Sequence, residues 1–145
     1  LLTLNALVAA DEVLVPIQCE YYALEGVTQL MRTIEAVRHA MNKELRLGSI
    51  LMTMFDGRTR LSTQVDEEVR THFARETMST RIPRSVRVSE APSYSRSVLT
   101  YEPTSAGAVA YREAAAEFAK RHACDEHSTN TSGVKHPDAS DTKKG

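Results

Sequence analysis

The chain has 145 residues, 41% of them hydrophobic, 26% charged and 6% aromatic, which suits one modest domain with a core of its own. The formal net charge is −1, so the overall balance demands no polyanionic partner, and no apolar run approaches the roughly 20 residues of a membrane span. The opening Leu1-Leu2-Thr3-Leu4 lacks a basic n-region and is not expected to be a signal peptide; it reads as a chain met in mid-fold. Two cysteines, Cys19 and Cys124, exclude a disulfide framework and suit a reducing compartment.

Residues 1–10 are apolar nearly all round and predict the end of a buried helix, closed by Asp11. Val13-Leu14-Val15 is an unbroken apolar run ended by Pro16, the pattern of a central strand buried on both faces. Leu24, Val27, Leu30, Met31, Ile34, Val37 and Met41 recur at three and four and predict an amphipathic helix over about 20–42. Residues 50–55 predict a second buried strand, and Asp56-Gly57 a turn. Leu61, Val65, Val69 and Phe73 mark another helix, with Ser62 or Thr63 as its cap. Residues 80–83 and 98–101 predict short extended pieces. Gly107, Tyr111, Ala114, Ala115 and Phe118 define one face of a last helix starting near Ser105.

Composition changes near residue 122. From Ala123 to Gly145 the only large aliphatic residue is Val134, too little apolar surface to offset ordering entropy. The expected organisation is a folded part over 1–122 and a disordered polar tail over 123–145. Apolar strands alternating with amphipathic helices predict an α/β fold with a mostly parallel sheet flanked by helices. Ligands of such sheets sit beyond the carboxyl ends of the strands. The segments to inspect are therefore 16–22, 54–60 and 83–90.

Four chemistries can be weighed there. A triphosphate cradle needs glycines in fixed spacing before a lysine; no glycine of this chain precedes Lys, and Gly-x-Gly-x-x-Gly is absent. The run from His122 to His127, with Cys124, has metal-ligand residue types, but it straddles the helix end and the expected tail, so incidental polar residues are the favoured reading and no metal is expected. Cys19 follows a strand without a visible histidine partner and reads as a buried structural thiol. Most informative are the arginines at 58, 60, 70, 75, 81, 84, 87 and 96. These eight face five acids in the same window, which contains no lysine. Guanidinium groups on post-strand loops suit phosphate. A plain solvated arginine surface remains the alternative, and no interleaved aromatics point to base stacking.

At the post-strand segments the chain resembles one family. Residues 16–26, Pro-Ile-Gln-Cys-Glu-Tyr-Tyr-Ala-Leu-Glu-Gly, resemble the segment after the Walker B region of chromosomal ParA/Soj partition ATPases. Residues 51–59, Leu-Met-Thr-Met-Phe-Asp-Gly-Arg-Thr, resemble that family's next strand and loop. Residues 82–93, Ile-Pro-Arg-Ser-Val-Arg-Val-Ser-Glu-Ala-Pro-Ser, resemble its most distinctive late run, and Leu1 to Leu7 the helix after the Walker B aspartate. The resemblance spans nearly all of 1–118 and covers the C-terminal half of such a protein. The deviant Walker A loop, switch aspartate and Walker B aspartate would precede Leu1.

The resemblance implies the C-terminal part of a deviant Walker A P-loop NTPase fold. Its parent would be an ATPase using ATP and Mg²⁺. In the ATP state the parent would form a homodimer that holds non-specific DNA and segregates a chromosome or plasmid with a ParB-type partner. The implied location is cytoplasmic and nucleoid-associated, off the membrane. No catalytic residue is expected in this chain, which should be inactive alone. Met54, Pro83, Arg84 and Ser85 match the adenine flank, and Arg58 and Arg87 match arginines that bind DNA. Ser85 replaces the family's usual Asn, and residues 93–97 and 102–107 depart from the family pattern with a loss of two arginines, so DNA affinity should be weaker and less salt-dependent. The alternatives are a stand-alone DNA-binding or interaction module and, more weakly, a MinD-like ATPase. The latter type ends in an amphipathic membrane helix, for which residues 123–145 offer no apolar face.

Overall fold

A computed structural model describes residues 1–130, with side chains described as far as 123. Helix α1 (Leu2–Ala9) leads into β1 (Glu12–Gln18), α2 (Ala23–Ala40), β2 (Arg46–Phe55), α3 (Arg60–His72) and β3 (Thr77–Pro83). Two short helices, α4 (Val86–Glu90) and α5 (Val98–Tyr101), flank a 3-10 turn over Ala91–Tyr94, and α6 (Ala106–Asn130) follows. The strands form one sheet in the order β1-β2-β3, parallel throughout. This is the α/β architecture that the alternating pattern predicts.

Strand β2 lies in the middle, and its alternation explains why its sequence is apolar without interruption. Ile50 and Met52 point to one face and pack with Ile17, Val27, Val65 and Val69 beneath α2 and α3. Leu51 points to the other face and packs with Met78, Ile82, Ala110 and Ala114 beneath α6. Ile50 and Met52 are fully buried; each contributes about 2–3 kcal/mol through area removed from water. A third cluster of Leu7, Ile34, Val37 and Leu45 closes the base of the sheet against α1. There Asn42 Nδ2 donates towards the carbonyls of Leu7, Val8 and Ala10, satisfying the open end of α1.

Several expectations need correction. Strand β1 is not central among the described residues: only β2 pairs with it, and Leu14 is 43% exposed. It also continues through Pro16 to Gln18, since an edge strand tolerates a proline where the missing N–H costs no ladder bond. Helix α1 buries only Leu7, while Leu1 and Leu2 stand in solvent. The cap of α3 is Thr59, whose hydroxyl accepts from the Ser62 N–H, rather than Ser62 or Thr63. Residues 98–101 are a helical turn capped by Ser97, not a strand, because the apolar pair there closes over α6 instead of joining the sheet. Ala115 is exposed, off the packed face of α6. That helix runs to Asn130, through the first part of the segment expected to be a polar tail; residues 131–145 lie outside the described residues.

Candidate functional site

The three parallel strands end side by side, and backbone hydrogen bonds tie their exits together. The Cys19 N–H donates to Thr53 O at 3.0 Å, and the Arg84 N–H donates to Phe55 O at 2.9 Å. Ser62 links two of the exits: its hydroxyl accepts from the Asp56 N–H at 3.2 Å and donates to Cys19 O at 3.5 Å. All the sequence-predicted site residues lie on or just after these exits, so the fold brings Met54, Arg58, Pro83, Arg84, Ser85 and Arg87 to one end of the sheet.

Met54 adopts φ 54°, the left-handed region that a side chain other than glycine, Asn or Asp rarely takes. Such a residue stores strain on the order of 1–3 kcal/mol, and it persists where the surroundings over-determine it. Here the pairing of β2 with β3 shifts register between Met52 and Phe55, and the left-handed residue absorbs that shift. Met54 and Pro83 are half-buried at this end of the sheet. The Arg84 guanidinium reaches back across the mouth to Glu20 at 3.3 Å. Ser85 caps the start of α4 without a side-chain bond. Helix α6 presses close behind it: a Cβ on Gly107 would lie 2.5 Å from Val88 Cγ2 and 3.4 Å from Ser85 Oγ, so only glycine allows this approach. A triphosphate cradle is not formed by the described residues, and no group of three His, Cys, Asp or Glu among them is disposed to hold a metal ion.

The two arginines matched to DNA contacts are held differently. Arg58 meets Asp56 side-on: Nε donates to Oδ1 and an Nη2 hydrogen to Oδ2, both at 2.9 Å, while the Arg58 backbone N–H donates to the same Oδ1 at 3.1 Å. These bonds from Arg58 hold the Asp56 carboxyl down at about 2. The Arg58 side chain nonetheless stays 90% exposed. Arg87 meets Glu90, one turn on, by a single Nη1 bond of 3.2 Å.

The other arginines divide into structural and solvent-facing groups. Arg70 and Arg81 converge on the buried Asp66 at 3.0 and 2.7 Å, and Arg81 also lies 5.3 Å above the Phe55 ring. Burial alone would raise the Asp66 carboxyl, but the two guanidinium groups outweigh it and hold the group ionised. Arg60, Arg75 and Arg96 have no ion-pair partner among the described residues, and neither have Glu67, Glu68 and Glu76 of the same window; the local positive excess arises because Arg58 and Arg84 pair with acids outside the window and Arg70 and Arg81 share Asp66. Cys19 is buried, and burial, with the nearby Asp66 charge, pushes its thiol up to about 11, as a structural thiol requires. His122, of the candidate metal run, donates from Nδ1 to Phe118 O at 2.9 Å and contacts Glu12 Oε1 at 2.8 Å; Cys124 and His127 lie outside the residues whose side chains are described.

Sequence reasoning missed Glu20, Asp56 and Asp66 as the partners that orient this arginine set. Two of them carried a signal: Asp56-x-Arg58 is the spacing of an Asx turn, and Asp66–Arg70 is an i,i+4 helix pair. The Glu20–Arg84 contact joins exits 64 residues apart and leaves no local trace.

Comparison with known proteins places this arrangement. A family model described as an AAA domain matches residues 1–47. The chain is 53% identical over 120 residues to the chromosome-partitioning ATPase Soj of Thermus thermophilus, covering 83% of this chain and 48% of that protein. It is 52% identical to the chromosome partitioning protein ParA of Caulobacter vibrioides, covering 45% of that protein, and 49% identical to the sporulation initiation inhibitor protein Soj of Bacillus subtilis, covering 47%. Among solved structures, a cobyrinic acid a,c-diamide synthase from Mycobacterium smegmatis superposes with a TM-score of 0.58 at 38% identity, over 77% of this chain and 39% of that one. That enzyme has also been solved with ADP and magnesium and with an ATP analog and magnesium. The chain spans about half the length of the curated relatives it matches. With about half of its aligned residues identical to theirs over most of its length, on a parallel α/β sheet, the chain belongs to the ParA/Soj family of chromosome-partitioning proteins.

Proposed function

We propose that this chain supplies the C-terminal half of a ParA/Soj-type partition ATPase. It contributes the adenine flank and the DNA-contacting rim, while the residues that grip the triphosphate and Mg²⁺ belong to the other half. In the complete protein ATP binding drives homodimerisation, the dimer holds non-specific DNA on the nucleoid, and a ParB-type partner stimulates hydrolysis and release. Hydrolysis by such an enzyme is positioning plus electrostatic stabilisation by a lysine, Mg²⁺ and a water-orienting group, none of which this chain is proposed to carry.

The observation that carries the reading is that Arg58 and Arg87 leave the sheet at the same end as Met54, Pro83 and Arg84. Nucleotide and DNA would then be read by neighbouring loops of one rigid platform, so that occupancy of one alters the presentation of the other. Phosphate contacts of this type are independent of base sequence and weaken steeply with salt.

The test is binding of the 145-residue chain to a random-sequence duplex by fluorescence anisotropy across a salt series. Arg58→Ala and Arg87→Ala should each weaken binding for all sequences alike and lower the salt slope by about 1. Binding unchanged by both substitutions overturns the DNA reading. In parallel, the chain alone should show no ATP turnover above blank; turnover that scales with its concentration through repurification overturns the assignment of the catalytic groups to the other half.

A further inference from the structure

The inference rests on the reading of Arg58 as a DNA contact and adds a residue to it. A guanidinium has two hydrogen-bonding edges, one formed by Nε with a terminal nitrogen and one formed by the two terminal nitrogens. Asp56 occupies the first. Its two carboxylate oxygens take Nε and Nη2 at 2.9 Å each, and its Oδ1 also fixes the Arg58 backbone N–H. The second edge, with both Nη1 hydrogens, is left pointing into solvent on a side chain that is 90% exposed. Asp56 is itself anchored: its N–H donates to the Ser62 hydroxyl, and its carbonyl accepts from the Thr59 N–H and hydroxyl at 3.0 Å. Thr59 in turn caps α3. A chain of hydrogen bonds thus runs from the helix N-terminus to one free guanidinium edge, the edge that matches two phosphate oxygens.

Arg87 lacks this support. Its bond to Glu90 uses Nη1, a terminal nitrogen, so the acid competes with phosphate for the same edge. An exposed long side chain that must be ordered on binding loses rotamer freedom, whereas one already ordered does not.

We propose that Asp56 is a positioning residue for DNA binding: it holds Arg58 side-on so that the outer guanidinium edge stands ready for a backbone phosphate. The claim opposes simple charge counting, in which removing an acid beside a DNA-binding arginine tightens binding.

Binding of the full 145-residue chain to a fluorescein-labelled random-sequence duplex separates the two. Asp56→Asn adds a positive unit to the balance and should nevertheless weaken binding about fivefold, the worth of one ordering hydrogen bond. Asp56→Glu keeps the charge but moves the carboxylate by one methylene, and it should weaken binding in the same direction. Arg58→Lys keeps the charge without the fork and should fall near Arg58→Ala. In the Arg58→Ala background, Asp56→Asn should no longer weaken binding, because its effect runs through Arg58. Thermal melts verify that each variant folds, and Asp56→Glu carries the test if Asp56→Asn does not fold. If Asp56→Asn or Asp56→Glu binds as tightly as the parent or tighter while Arg58→Ala is weakened, the positioning role is overturned and the DNA reading stands. If Arg58→Ala binds like the parent, Arg58 is no DNA contact and the positioning role falls with it; the DNA reading as a whole falls only if Arg87→Ala also binds like the parent.

Discussion

The two edges of the sheet are finished differently. At β3, helix α6 seals the edge with side chains. Glu117 accepts from the N–H groups of Ser79 and Thr80 at 2.6 and 2.8 Å and from the Thr80 hydroxyl at 2.7 Å. Arg121 donates to the carbonyls of Arg75, Glu76 and Thr77, and pairs with Glu117 at 3.1 Å. These contacts coincide with a register shift, where Ile50 faces Thr77 but Met52 already faces Arg81, so β3 bulges and turns its donors towards the helix. At β1 no such cover exists among the described residues; Leu14 is 43% exposed and Leu2 of α1 faces solvent. A sealed edge ends a sheet, whereas an open apolar one invites another strand. Among the described residues, α6 closes the sheet at β3, whereas the β1 edge is left open to pairing.

Breaking the seal should have the largest effect. Glu117→Ala leaves two backbone N–H groups without their acceptor and should cost about 2–3 kcal/mol, read by urea denaturation, with Ser79 and Thr80 the first amides to exchange with deuterium. A variant as stable as the parent would remove Glu117 from any role at the edge.

Acid should loosen the same edge by degrees. Partial burial alone would raise the Glu117 carboxyl, but the Thr80 hydroxyl, the two N–H donors and Arg121 outweigh it and hold it at about 2, against 4.5 ordinarily. The folded-state value is depressed, so this contribution is fully present above the unfolded value and is lost as pH falls from about 4.5 towards about 2. Stability measured across that window should decline, and Glu117→Gln should flatten the decline. A slope unaltered by that substitution would transfer the effect to other carboxylates.

At the open edge the smallest effect is expected. Leu14→Thr replaces a half-exposed apolar side chain with a β-branched polar one, so the melting temperature should move little while self-association at high concentration falls. A loss of stability comparable to that of Glu117→Ala would show that the β1 edge is already buried in solution, by a second copy of the chain.

Much of the fold was legible because the helices are long and their apolar spacing regular. Val27, Ile34 and Val37 fall on one face of α2, and Val65 and Val69 on one face of α3, as the three-and-four spacing requires. Residues 98–101 misled because four apolar and β-branched residues satisfy a strand and a helical turn equally well; the Ser97 cap and the packing of Val98 on Ala108 decide for the turn. Residues 1–4 misled because an all-apolar helix reads as buried wherever its partners lie. Among the site residues, the post-strand positions of Arg58, Arg84 and Arg87 follow from strand order alone. Of their acidic partners, Asp56 and Glu90 are local in the chain, whereas the Glu20 partner of Arg84 lies 64 residues away and leaves no local trace.

By itself the sequence determined the alternation of strands and helices, the absence of a lysine-bearing glycine loop and the clustering of arginine after the strands. Those properties are local, set by periodicity and residue chemistry. Only the tertiary structure decided which edge of the sheet is closed, which arginines hold Asp66 and which face solvent, and where the backbone takes the strain at Met54. Apart from the local Asp66–Arg70 pair, these features depend on groups from separate elements meeting across the fold, and no pattern along the chain records such a meeting.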